Sequence, residues 1–503
     1  MSSKQNSVVI IGSGLGGLMC GAILSKKGYK ITVLEKNPQF GGCLQSYKHD
    51  GGIFDTGVHY IGGLGDGQNL NKIFTYLNLF SKLKIERLDM DHFDLFSFGD
   101  SPVEYGYSQT YERFIDTLSS AFPSERKGIE TYCDRMKEVC RRFSLYNLES
   151  GDFMDKMDLL NINAKETIDS CVNDPFLKDL LAGNNKLYAG VPDKTPFYIH
   201  ALILNSYIES SWRIVGGGSQ IANGLASIIR ENGGEVITRA KVQKLHCDLG
   251  VAKRVTCADG REFIADIFIS NLHPATTISI TQTDVFRKAY INRIESLENT
   301  IGAFILNVVF KEGQFPLKNY NIYHHEHPDL VWDAVNYKKE EWPNCFALFN
   351  TTSGNGFSLS ASIMTYQRME ELSPWYNSFN TVFEPGERGE GYKEFKEVCA
   401  EKLFNLVEKK FPGFKSTVKS YHTITPLTYR DYTGTPQGSL YGVLRDYREP
   451  LKTFIPARTR IPNLLLTGQN LNVHGVLGVA LSSLTTCGEI VGIDSLLNEI
   501  RNA

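Results

Sequence analysis

"SVVIIGSGLGGLMCGAILSKKGYKITVLEK", Ser7 to Lys36, reads as a strand, a glycine turn, a helix and a second strand. Val8 to Ile11 form a continuous apolar run, the pattern of a parallel strand buried on both faces. Gly12, Gly14 and Gly17 then give G-x-G-x-x-G, with Ser13, Leu15 and Gly16 between them. The first glycine permits the tight turn, the second lets a pyrophosphate approach the backbone, and the third lets helix and strand pack closely. A helix is predicted from Leu15 to Lys27, ending at Gly28 as a C-cap residue. Its first N–H groups face the phosphates. The strand Ile31–Leu34 delivers Glu35, 23 positions after Gly12, with Lys36 beyond it. At that spacing an acid reaches the adenosine ribose hydroxyls. The glycine motif alone is weak; strand, helix and acid around it predict dinucleotide binding.

Downstream comes "GGCLQSYKHDGGIFDTGVHYIGG", Gly41 to Gly63. The glycine pair Gly41 and Gly42, then Cys43, falls where a nicotinamide-only domain proceeds to another helix. A glycine-broken segment here predicts a backbone that hugs a larger cofactor. Within it, His59 and Tyr60 stand between Gly57 and Gly62.

The chain has 503 residues, 42% apolar and 22% charged, with a net charge of −3. That length predicts two structural domains of a soluble globular protein. The charge balance speaks against a nucleic-acid partner. No apolar run approaches the roughly 18 residues of a membrane span. The N-terminal residues lack the pattern of a secretory signal, so a cytoplasmic location is expected. Ten cysteines are scattered without a CxxC pair, which leaves no metal site to predict. Cys133 and Cys140 could share a helix face; the expectation for all ten is free, mostly buried thiols.

Beyond these elements, "GGGSQIANGLASIIRENGGEVITRAKVQKL" predicts an amphipathic helix Gln220–Glu231 and strands Glu235–Thr238 and Val242–His246. Strands Ala252–Cys257, Glu262–Ile264 and Ile267–Ser270 follow. "NLLLTGQN" supplies a last buried strand, and "GVLGVALSSLTTCGEIVGIDSLLNEI" one closing helix. "YCDRMKEVCRRF" reads as helix, "AFILNVVF" as strand, and the glycine- and glutamate-rich stretch at 380–392 as a surface loop. "LNKIFTYLNLFSKLKI", Leu70 to Ile85, is readable as an interfacial helix or as a core-facing one.

The first two segments together resemble the FAD-binding amino-oxidase and carotenoid-desaturase superfamily. With "YAGVPDKTPFYIHALILNSYIESSWRIVGGGSQIA" and "TGQNLNVHGVLGVALSSL", the chain is similar to the retinol-saturase-like branch of the phytoene-desaturase and carotenoid-isomerase family. Desaturases usually show Gly-Gly-Arg where this chain has Gly42-Cys43, and proline where it has Val58. The resemblance implies an α/β fold. A discontinuous Rossmann-like FAD domain (1–70, 213–285, 455–503) would hold an inserted α+β substrate domain (71–212, 286–454). It implies that Val242 backs the adenine and that Gly468, Gln469, Gly478 and Val479 complete the flavin pocket, with a helix start aimed at the flavin N1–O2 edge. Many relatives carry an acid at the position of Gln469.

The implied activity is FAD-dependent hydride transfer to a double bond of an apolar, polyene- or isoprenoid-like molecule, with His59 or Tyr60 positioning it or moving a proton. His200 and His474 are weaker candidates. Desaturation, isomerisation or amine oxidation on the same fold are alternatives, as is a non-redox lipid carrier like the GDP-dissociation inhibitors. "SGNGFS", Ser353 to Ser358, is no second dinucleotide turn. Electrons are therefore expected from an external donor or acceptor, and an apolar substrate implies peripheral membrane contact.

Overall fold

β1 (Ser7–Ile11) is the middle strand of a five-stranded sheet in this computed structural model, which describes residues 6–151, 153–352 and 355–503. β2 (Lys30–Leu34) lies on one side of it and Ile267–Ser270 on the other; Glu235–Ile237 and Leu464–Leu466 form the edges, and all five strands run parallel. Three distant parts of the chain thus build one sheet. Alternation explains why β1 carries no polar residue after Ser7. Val8 and Ile10 enter the core beneath α1 (Leu15–Lys26) and the helices Ser219–Glu231 and Gly475–Val491. Val9 and Ile11 enter a second core with Leu245 and Val255 of a four-stranded sheet on the opposite face. Each such side chain contributes about 1.5–3 kcal/mol on burial.

The other large sheet has seven strands, in the order Val418–Ile424, Gly302–Phe310, Ser358–Gln367, Cys345–Thr352, Asn321–His325, Asp94–Phe98 and Glu104–Tyr107. Gly302–Phe310 is buried at every position. Ala303 and Ile305 face the first core, while Phe304, Leu306 and Val308 meet Leu403, Phe404 and Val407 of the helix Glu390–Lys410. A three-stranded sheet of Ile61–Gly62, Ser211–Ile214 and Ile85–Arg87 joins the two halves.

Three expectations need correction. The closing segment forms two helices, Gly475–Val491 and Ile493–Arg501, because Gly492 between them takes φ +85° and turns the chain. The loop at 380–392 is shorter than expected, since the helix begins at Glu390. Leu70–Ile85 is not one helix: it stops at Tyr76, Asn78 adopts φ +52°, and a 3-10 turn at Phe80–Lys82 precedes the strand at Ile85. Leu70, Ile73 and Phe74 are fully buried, so that apolar stripe faces the core. No helix among the described residues is long and apolar enough to cross a membrane. Cys133 and Cys140 do share one helix, Arg126–Arg142, and all ten thiols are free. Ser353 and Gly354 of the "SGNGFS" segment lie outside the described residues.

Candidate active site

The glycine turn sits at the C-terminal end of β1, and its close approaches explain its composition. Gly12 adopts φ +94° and donates its N–H to the Leu34 carbonyl at 2.8 Å. A β-carbon on Gly17 would lie 2.1 Å from the Gly12 carbonyl oxygen. One on Gly14 would lie 2.7 Å from the side-chain nitrogen of Asn271, and one on Gly16 would lie 2.5 Å from its oxygen and 2.9 Å from Gly468 Cα. Gly468, at φ +102°, has the same neighbour at 2.6 Å. Asn271, anchored by its N–H to the Ile11 carbonyl at 2.9 Å, is therefore the post around which the turn is wound. Sequence reasoning missed it, although an asparagine at the end of a buried parallel strand was there to be read.

α1 starts with Gly14 as N-cap, no side-chain cap and no acid in its first turn, so side chains leave its leading N–H groups unanswered. Leu15 is half-buried there. Glu35 is buried beside the turn; it accepts from Ser13 N (3.2 Å), Asn37 N (2.8 Å) and Ser13 Oγ. Lys36 turns away, its ammonium donating to the Asp431 carbonyl at 2.8 Å. Burial lowers its pKa. Gly41, at φ +118°, bridges to Gly14 and donates to Ser13 Oγ at 3.2 Å, which lays the second glycine pair over the first turn. A β-carbon on Gly42 would lie 3.1 Å from Gly14 Cα. Val242 lies farther out, on the four-stranded sheet, two residues past the Ala240 N–H that reaches the Glu35 carbonyl at 2.7 Å.

The two glycines that flank His59 and Tyr60 are there for steric reasons. A β-carbon on Gly57 would meet Cys43 at 3.1 Å, and one on Gly62 the backbone of Ser206 at 2.6 Å. The segment is wedged between the Cys43 turn and the helix Phe197–Glu209. Burial pushes the Cys43 thiol up to about 11, so it stays protonated.

Beyond the wedge opens a cavity lined by Tyr60, Tyr146, Leu202, Tyr207, Val476 and the helix start at Gly475 and Gly478. A β-carbon on Gly478 would meet the Val473 carbonyl at 2.2 Å, which draws that helix, with the buried Val479, against the preceding turn. The helix again begins without a side-chain cap. Gln469 is half-buried at the end of the Leu464–Leu466 strand, on the far side of the sheet from Val242.

His59 and Tyr60 differ in environment. The His59 ring stacks on Phe349 at 4.2 Å and 2°. Burial lowers its pKa to about 4. The Tyr60 hydroxyl donates to Asp94 Oδ2 at 2.9 Å and lies 2.8 Å from the Tyr323 hydroxyl. Asp94 also accepts from Asn321 Nδ2 at 2.8 Å and from Asn184. Burial raises this carboxyl to about 7 despite the three donors. Asp94 and Tyr207 were not singled out in the sequence; Asp94 sits in no motif, and Tyr207 lies within the stretch that starts at Tyr188 without a role of its own there.

His200 is satisfied on both nitrogens, by Tyr132 at 2.6 Å and Tyr188 at 2.9 Å, and is neutral, its pKa lowered to about 3 by burial. His474 donates from Nε2 to the Leu187 carbonyl at 2.9 Å; burial lowers it to about 4. No group of three or more His, Cys, Asp or Glu among the described residues could hold a metal ion.

The titratable groups around the cavity are thus neutral imidazoles, phenols and one carboxyl near its switching point. The strand, glycine turn and helix have the form of a dinucleotide site, and the class they define is that of the dinucleotide-dependent oxidoreductases. The chain belongs to the family of flavin containing amine oxidoreductases, which it matches over residues 15–491. Its cofactor is FAD. The residues fit that group: Gly14, Gly16 and Gly17 leave no room for side chains, and α1 presents its uncapped N–H groups to an anion.

Among curated relatives, the chain is 27% identical to all-trans-retinol 13,14-reductase of Danio rerio, over 96% of this chain and 85% of that protein. It is also 27% identical to the chloroplastic prolycopene isomerase of Daucus carota, over 98% and 81% respectively. Among solved structures it resembles an oxidoreductase from Methanosarcina mazei, at a TM-score of 0.63 and 18% identity over 95% of this chain and 99% of that one.

Proposed function

We propose that the protein reduces one carbon–carbon double bond of an apolar polyene, a retinoid- or carotenoid-like molecule lying in the cavity beside Tyr60. The observation that carries this reading is an apolar cavity walled by Tyr60, whose hydroxyl is bonded to the buried Asp94 behind it, set on the fold of a flavin oxidoreductase. The names of the relatives, a retinoid reductase and a carotenoid isomerase, support the substrate class. FAD, when bound, supplies a hydride at its N5 position.

The chain's own residues do the rest. Gly12, Ser13, Gly14, Leu15, Gly16 and Gly17 hold the pyrophosphate, Glu35 the ribose, and Gly41, Gly42, Cys43, Gly468, Gln469, Gly478 and Val479 the ribityl–flavin end. Tyr60 gives a proton to the carbon that does not receive hydride, and Asp94 sets when it can. While Asp94 is ionised, the Tyr60 proton is committed to it. Once Asp94 is protonated, its O–H points to the phenol oxygen and the Tyr60 proton is free to face the cavity. His59, neutral and stacked on Phe349, holds the wall. Electrons come from an external donor.

The test is anaerobic. Chemically reduced protein is mixed with retinol or a short apocarotenoid and the product is weighed. A gain of two hydrogens with absorption moved to shorter wavelength is expected, and Tyr60→Phe should slow it at least roughly tenfold. A range of polyenes returned with unchanged mass, or with two hydrogens lost, overturns the reductase reading.

A further inference from the structure

A second, smaller cavity lies next to the first, and His474 lines both. Its other walls include Tyr188, Ile199, Thr300, Val443 and Arg445. Arg445 is only 9% exposed. It donates from Nη1 to the Thr453 carbonyl and from Nη2 to the Asn470 carbonyl, the latter at 2.7 Å. A guanidinium carries five N–H donors, so three remain uncommitted. None of the ion pairs among the described residues includes it. The other polar groups of the cavity are already engaged: Tyr188 on His200, Thr195 with the Val191 N–H, and Thr300 with the Tyr441 N–H.

A buried cation without a counter-ion costs several kcal/mol, and proteins keep such charges paired or in use. Two carbonyls orient this guanidinium without neutralising it. We propose that Arg445 is the recognition residue for an anionic end group of the substrate, and that this group is a carboxylate. The inference rests on the polyene reading for the remainder of the molecule. A carboxylate fits where a diphosphate does not. One planar fork matches one planar monoanion, whereas Lys194 and Arg448, close in sequence to the lining residues Thr195 and Arg445, are taken up by Glu298 and by Asp446 and Asp193. The apolar chain would run past His474 into the larger cavity, toward Tyr60.

The experiment uses the FAD-loaded protein and reads binding from the perturbation of the flavin spectrum, without turnover. Three probes are titrated: retinoic acid, retinol and dodecanoate. The acid should bind at least roughly tenfold more tightly than the alcohol. In Arg445→Met that preference should fall to near unity, and Arg445→Lys should keep part of it. The wild-type comparison stands even if a variant folds poorly. Equal affinity for acid and alcohol in the wild type overturns the proposal and leaves the polyene reading intact. So does a flavin spectrum altered in Arg445→Met with the acid preference retained. Arg445-dependent binding of dodecanoate with no binding of either polyene keeps the anion site and overturns the polyene reading.

Discussion

Gly14 and Gly17 are interchangeable letters in a motif, yet their obstacles differ. A β-carbon at position 14 meets the tip of a side chain, Asn271, while one at position 17 meets the Gly12 carbonyl of the backbone itself. Gly14→Ala should therefore lower FAD affinity about tenfold, near 1.4 kcal/mol, and Asn271→Gly in the same chain should restore part of it. Gly17→Ala should have no such rescue. Flavin absorbance per polypeptide after dialysis decides between the two behaviours. At Asp94 the expectation concerns pH. If the Tyr60 proton is released only when Asp94 is neutral, the single-turnover rate is constant at low pH and falls about tenfold per unit above about 7. Asp94→Asn should flatten that limb, because an amide donates to Tyr60 at every pH. A limb that persists in the variant assigns it to another group.

Among the elements, Gly492 carries the sharpest consequence. With φ +85° and ψ 120°, it holds a backbone that side-chain-bearing residues rarely adopt. Gly492→Ala should destabilise the protein by about 1–3 kcal/mol, seen as a lower urea midpoint at unchanged slope. This break also illustrates what was legible beforehand. The strand–turn–helix unit at the N-terminus was readable because β1 is apolar from Val8 to Ile11 and Glu35 lies at a fixed distance from Gly12. The closing segment was misread because its apolar spacing continues smoothly across Gly492, and one glycine in a helical pattern does not reveal its φ. Leu70–Ile85 was ambiguous for a different reason: a periodic apolar stripe has the same spacing whether core or lipid covers it. At the site, motif residues such as Gly41 and Gly42 could be named. Asp94 and Asn271 could not, since their importance arises from strands far apart in the chain meeting at one point.

The molecule as a whole records the burial of Asp94 as a pH-dependent stability. Its carboxyl keeps a proton up to about pH 7 in the folded state, against a reference of 3.8 for an exposed one. Between those values the native protein binds more protons than the unfolded chain, so the unfolding free energy falls as pH rises, by about 4 kcal/mol from this group across the window. Urea titrations of the wild type and Asp94→Asn at several pH values should show the wild type gaining on the variant toward acid. A difference that does not change with pH would place the titrating proton elsewhere.

The sheet assembled from three distant segments also bears on how the protein is made. Cys20 of α1 rests against the Ser483 carbonyl, 463 residues later, and Gly16 lies under Gly468. As the chain leaves the ribosome, α1 can pack on its own strands and later on the helix Ser219–Glu231, but the side that meets Gly475–Val491 waits for the C-terminal segment. The nucleotide floor is therefore completed after synthesis, by a slow long-range closure. A chain truncated before Gly468 would leave that side of α1 open to chaperones and proteases, so that the C-terminal segment certifies a finished product.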